Sequence, residues 1–125
     1  AAMSILALKA GEVIYFKGAE GDNLYWVRKG VVRLVASLAD GKSKPLASFG
    51  RGEFFGGLAF LDNKPRPNDA MAVTDTELYV LSRQKFNEIA EHHKRLAFNI
   101  AVALARLLAK RLRQTEIKLN TLQES

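Results

Sequence analysis

Apolar and polar positions alternate in short runs along the first two-thirds of the chain. Residues 13–16, 24–27, 31–37, 46–49, 70–73 and 78–81 are rich in β-branched and aromatic side chains, and each run has the length of a strand. Between them stand Gly11, Gly18, Gly21, Gly30, Asp40-Gly41 and the Gly50-Arg51-Gly52 triplet. Strand-length runs about ten residues apart predict an antiparallel barrel or sandwich, not alternating strand and helix units. Arg28-Lys29-Gly30 reads as a tight reversal and Ala39-Asp40-Gly41-Lys42 as a hairpin turn.

From Ser82 the period changes. Ser82 ahead of Arg83-Gln84-Lys85-Phe86 reads as a helix start, its hydroxyl capping free N–H groups. Phe86, Ile89 and Ala90 then share a face. After a polar break at 91–94, Leu96, Ile100, Leu104, Leu107, Leu108 and Leu112 recur at threes and fours, with Ile117, Leu119 and Leu122 continuing more loosely. No glycine or proline follows Leu96, so one helix of roughly 25 residues is expected there. Its wide apolar arc exceeds what a lone surface helix needs, and a homodimer through 96–122 is the expectation.

Composition narrows the class. A chain of 125 residues, 48% apolar and 26% charged, fits one globular domain over 1–125 with its own core. It has no cysteine, which excludes disulfides and thiol chemistry and suits a cytoplasmic setting, including the cytoplasmic part of a membrane protein. The apolar stretch 96–109 is interrupted by Asn99 and Arg106, too short and too polar to cross a bilayer. Ala1-Ala2-Met3 reads as a remnant before the true start. The net charge of +6 leans to the end of the chain: from Glu91 onward seven Lys and Arg face three acids. That density fits a solvated helix face better than a nucleic-acid arm. His92 and His93 are adjacent, unlike metal ligands on a helix. No Ser/His/Asp or paired-carboxylate arrangement stands out, so no catalysis, cofactor or metal is expected.

The candidate chemistry lies in residues 54–72. Gly56-Gly57 lets backbone approach a ligand closely, and 58–61 can form one helical turn whose free N–H groups favour an anion. Arg66, fenced by Pro65 and Pro67, has little backbone freedom and the fork geometry for a phosphate. Other readings stay open: the glycine pair serving a turn alone, and Arg66 pairing with Asp69 or Asp62. Tyr25 and Trp26 read as packing residues of a strand.

The chain resembles the cyclic nucleotide-binding domain family. The resemblance rests on Lys9-Ala-Gly-Glu-Val-Ile, Gly18-Ala-Glu-Gly-Asp-Asn-Leu-Tyr, Lys29-Gly-Val-Val-Arg, Phe49-Gly-Arg-Gly-Glu-Phe-Phe-Gly, Pro65-Arg66 and Thr76-Glu-Leu-Tyr-Val-Leu-Ser-Arg, in that order. It implies a mainly β fold, an antiparallel double-stranded β-helix or jelly roll over about 8–82, then a short and a long helix over about 83–122. It also implies a phosphate-binding cassette of Phe55, Gly56, Gly57, Leu58, Ala59, Arg66, Pro67, Asn68 and Asp69, with cyclic AMP or cyclic GMP as ligand. A weaker resemblance, through 75–82 and 107–113, is to modules fused to bacterial transporters or enzymes.

Three positions depart from the family pattern. Where the family has a glutamate for the ribose 2′-hydroxyl, this chain has Gly57. Asn68 and Asp69 stand where small residues are usual. A carboxylate about 4 Å from a phosphate costs on the order of 1–4 kcal/mol, and a lost ribose hydrogen bond about 1–3 kcal/mol. Together they are worth roughly tenfold to a thousandfold in affinity. The expected function is therefore a non-enzymatic regulatory sensor with weak or altered nucleotide binding, signalling to a fused or partner effector domain. A ligand-free assembly module, and a fragment of a transcription regulator without its helix-turn-helix, are the alternatives.

Overall fold

The computed structural model describes residues 4–124; Ala1-Ala2-Met3 lies outside the described residues. The chain divides into two compact units, Ala1–Phe86 and Asn87–Ser125.

The first unit holds strands β1 (Ser4–Leu8), β2 (Val13–Tyr15), β3 (Asn23–Lys29), β4 (Val32–Ser37), β5 (Ser43–Phe49), β6 (Phe54–Phe55), β7 (Asp69–Ala72) and β8 (Thr76–Ser82). A short helix, α1 (Gly57–Asp62), lies between β6 and β7. The strands form two four-stranded antiparallel sheets, ordered β1-β8-β3-β6 and β2-β7-β4-β5. Neighbours in a sheet are mostly distant in sequence, the mark of a jelly roll and not of a meander. The alternation that predicted strands also sets the core. On β3, Tyr25 and Val27 point inward while Trp26 and Arg28 stay exposed, since successive side chains of a strand take opposite faces. Tyr25, Val27, Phe55 and Leu78 of one sheet meet Val32, Phe49, Ala70 and Ala72 of the other in one buried cluster.

Strand expectations hold with shifted ends and two additions. Phe16 is outside β2 and 64% exposed. β1 and β6 escaped the pattern: Ser-Ile-Leu-Ala-Leu has no polar alternation, and β6 is a two-residue bridge opposite Tyr25 and Trp26. The hairpin at Leu38–Lys42 closes as expected, with Lys42 N–H bonded to Asp40 Oδ1 at 3.0 Å and Leu38 N–H to Lys42 O at 2.8 Å. Gly30 turns the chain from one sheet into the other with φ +97°, and a Cβ there would lie 2.5 Å from Asp75 O.

Ser82 ends β8, and its Oγ accepts the Lys85 N–H at 3.0 Å, so the expected cap is present. It starts α2 (Arg83–His92), which passes from the first unit into the second. The second unit is then almost entirely α3 (Lys94–Glu124), which begins two residues ahead of the expected Leu96 and is 31 residues long. The polar break contracts to His93, whose N–H bonds Ile89 O at 2.6 Å. Among the described residues, no helix is long and apolar enough to cross a membrane.

Ser82→Ala removes the α2 cap and is expected to destabilise the protein by about 1 kcal/mol, read as a lower melting temperature, with Ser82→Asp retaining most of the wild-type value.

Candidate functional site

The cassette is built around one buried cation. Arg66 is 2% exposed. Its Nη1 donates to Gly56 O at 2.7 Å and its Nη2 to Asn23 O at 2.5 Å. Its guanidinium carbon lies 4.2 Å from the centre of the Tyr15 ring and 5.7 Å from that of Tyr25. The Nε is buried and has no hydrogen-bond partner. A guanidinium carries five N–H donors, and carbonyl oxygens and ring faces meet it here without any opposite charge. Pairing with Asp69 or Asp62 does not occur. Asp69 Oδ1 accepts the Lys17 N–H at 2.6 Å, and Asp62 Oδ1 accepts the Lys64 N–H at 3.0 Å. The Asp62 carboxylate serves a local backbone turn and that of Asp69 a loop distant in sequence, and each is oriented without any need of a cation.

Gly56 makes this packing feasible twice over. It is the N-cap of α1 with φ 81°, and no side chain caps the helix there. A Cβ at Gly56 would stand 2.7 Å from Arg66 Nη1. Gly56 therefore serves a turn, and the close approach made there is to Arg66. Gly57, the first residue of α1, is buried, and so is Ala59. Gly21 lies against Ala59 so tightly that a Cβ would come 2.3 Å from the Ala59 Cβ, which pins the loop before β3 onto α1. Beside that contact an open cavity of about 290 Å³ is lined by Glu20, Gly21, Asp22, Ala59, Asn63, Lys64 and Pro65.

The remaining cassette residues diverge. Phe55 is a core residue, its ring stacked on Tyr25 at 5.0 Å. Leu58 is 54% exposed, Pro67 is exposed and Asn68 is half-buried. Asp69 opens β7 and belongs to a zipper between two loops. Gly18 N–H bonds Arg66 O and Arg66 N–H bonds Ala19 O, each at 2.8 Å, beside the Lys17–Asp69 bond. This zipper ties the segment after Tyr15 to the backbone of Arg66. Tyr15 itself escaped the sequence reading, because residues 13–16 are apolar or aromatic throughout and carry no alternation to say which side chain faces inward. Burial pushes its phenol from 10.0 up to about 12 despite the opposing pull of the Arg66 cation, with Tyr25 adding to the rise.

A second set of contacts joins α1 to the start of α2. Arg83 donates through Nη2 to Phe60 O, and its guanidinium sits 4.8 Å from the Phe60 ring. Phe60 stacks on Phe86 at 5.7 Å. Arg83 N–H bonds Asp22 O at 2.8 Å, with the Asp22 carboxylate 3.8 Å from Arg83 Nε. The helix that follows the roll is thus fastened to the cassette helix by its first residues. Among the described residues, no group of three or more His, Asp or Glu forms a metal site.

A jelly roll with a glycine-initiated helix and an arginine buried beside it defines a ligand-sensing class of domain, and the sequence agrees: the chain belongs to the cyclic nucleotide-binding domain family, which it matches over residues 5–93. It is 38% identical over 112 residues to the cyclic AMP receptor protein of Thermus thermophilus, an alignment that covers 90% of this chain and 50% of that protein. The crystal structure of the Thermus thermophilus catabolite activator protein superposes with a TM-score of 0.80 at 34% identity, covering 98% of this chain and 55% of that one. A lysophospholipase, nte1, of Aspergillus terreus is 35% identical over 112 residues, 90% of this chain but 7% of that enzyme. The chain thus spans about half of the Thermus protein and a small part of the fungal one.

The raised Tyr15 value has a signed consequence. The neutral phenol is favoured in the fold, so this stability is complete below about pH 10 and lost as pH rises toward 12. Urea unfolding from pH 8 to 12 is expected to show this fall, and Tyr15→Phe is expected to flatten it.

Proposed function

We propose that this domain is a non-catalytic regulatory sensor that takes the phosphate of a cyclic nucleotide between Arg66 and the first turn of α1, with weak affinity. The observation that carries this reading is the Arg66 guanidinium, buried and cationic, with an unpartnered Nε and no acidic residue in ion-pair range among the described residues. A buried charge is costly unless an opposite charge meets it, and an anion at the α1 turn supplies one. The uncapped N–H groups of Gly57 and Leu58 complete the cradle. Weakness follows from Gly57, which offers no side-chain acceptor to a ribose hydroxyl. Asp69 adds less to it than its charge suggests, because its carboxylate is engaged by Lys17 N–H. Ligand occupancy passes to the effector, fused or separate, through the Arg83 and Phe86 contacts with α1 and on along α2 and α3, in a cytoplasmic setting that the absence of cysteine suits.

One observation favours the ligand-free alternative. Arg66 at 2% exposure with two carbonyl partners is also how a relic arginine settles. Calorimetric titration with cyclic AMP and cyclic GMP separates the two. We expect a dissociation constant of roughly 10 µM to 1 mM, abolished by Arg66→Met and tightened about tenfold by Gly57→Glu. No binding by the wild type at millimolar nucleotide would overturn the sensor reading, and low-micromolar binding would overturn both the ligand-free reading and the weakness.

Self-association is the second part of the proposal. Along α3, Phe98, Ala101, Ala105, Leu108, Leu112, Thr115, Leu119 and Leu122 recur at alternating threes and fours, the seam of a two-stranded coiled coil. Phe98, Leu112, Leu119 and Leu122 on it are 67%, 61%, 54% and 70% exposed. Leu104, by contrast, is 2% exposed, so a charge there would damage the fold and not test the seam. In sedimentation experiments the wild type is expected to be a dimer and Leu112→Glu with Leu119→Glu a monomer. A wild-type monomer would remove the dimer.

A further inference from the structure

We propose that Tyr15 is the positioning residue of the anion contact: its ring face holds the Arg66 guanidinium in place where a carboxylate partner would otherwise be needed. The proposal rests on the reading of Arg66 as the phosphate contact. Three observations support it. The guanidinium carbon is 4.2 Å from the Tyr15 ring centre, well inside cation–π range, whereas Tyr25, the other aromatic beside it, is at 5.7 Å. No carboxylate among the described residues is within ion-pair range, and of the two ring faces beside the cation that of Tyr15 is the nearer. Finally, the backbones of the two residues are locked together. The zipper of Lys17, Gly18 and Ala19 with Arg66 and Asp69 leaves neither the strand end at Tyr15 nor the arginine free to drift.

The division of labour follows from the geometry. Gly56 O and Asn23 O accept from the two terminal nitrogens of the guanidinium and fix its direction. The Tyr15 ring 4.2 Å away adds a contact that these two bonds do not supply. Tyr15 is itself braced, with Tyr25 5.9 Å away and Phe55 6.3 Å away, so the shelf is rigid. Its hydroxyl has no role in this arrangement, and phenylalanine serves as well as tyrosine.

The test uses the full chain and two readouts. The first needs no ligand. A proton over an aromatic face is shifted upfield, so the Arg66 side-chain Nε–H resonance, assigned by its loss in Arg66→Lys, is expected upfield of the other arginines in the wild type and in Tyr15→Phe. In Tyr15→Leu it is expected to return to the common range. The second readout is calorimetric titration with cyclic AMP. Tyr15→Phe is expected to bind within about threefold of the wild type and Tyr15→Leu about 5- to 30-fold more weakly. An unshifted Arg66 resonance in the folded wild type overturns the proposal even if Tyr15→Leu fails to fold. So does a Tyr15→Phe defect as large as that of Tyr15→Leu. If the resonance behaves as expected while no nucleotide binds, Tyr15 still positions Arg66 and the phosphate reading of the site is what fails.

Discussion

The burial of one uncompensated guanidinium organises the roll. A charge taken out of water must be met by dipoles, by a ring face or by an ion, and the fold around Arg66 meets it by the first two means. Gly56 must lack a side chain so that its carbonyl and α1 can come close. Asn23 must start β3 where its carbonyl faces the other terminal nitrogen of the guanidinium. Tyr15 must end β2 with its ring against the cation. Three elements from separate parts of the chain converge on a single side chain. No opposite charge stands in ion-pair range among the described residues, and the Nε–H has no hydrogen-bond partner.

The same core explains why aromatic residues are concentrated between the sheets near the cassette. Tyr15, Tyr25, Phe55 and Phe49 form a continuous set of ring contacts from 5.0 to 6.3 Å. Such rings combine large buried area with stiffness, and they give the polar centre a wall that does not yield. On the far side of α1, Phe60 and Phe86 continue the aromatic packing toward α2. α1 thus lies between the cation and the first residues of α2, where a small displacement has consequences in both directions.

Much of the fold was legible because it is repetitive. Period-two runs at 24–27, 31–37 and 78–81 and the switch to period 3.6 after Ser82 follow from side chains facing one core. β1 was lost because Ser4–Leu8 is an edge strand without alternation, and β6 because two residues carry no period. The site was legible only in its backbone. Gly56 announces a left-handed turn, and a proline-fenced arginine announces a fixed cation. Where that cation points is decided by Asn23 O and Tyr15, which no local spacing connects to it. Asp69 shows the limit most clearly. Its charge reads as an opponent or partner of Arg66, whereas its carboxylate is spent on the Lys17 N–H, a contact between loops far apart in sequence.

That contact makes the cassette epistatic. Asp69 holds the loop that holds Tyr15, and through the Gly18 and Ala19 bonds the backbone of Arg66 as well. Replacing Asp69 with a small neutral residue would take a negative charge away from the site and at the same time orphan a backbone donor beside it. The two effects oppose each other, so the order of change matters. A change at position 69 is therefore tolerated only where the Lys17 loop has gained another support.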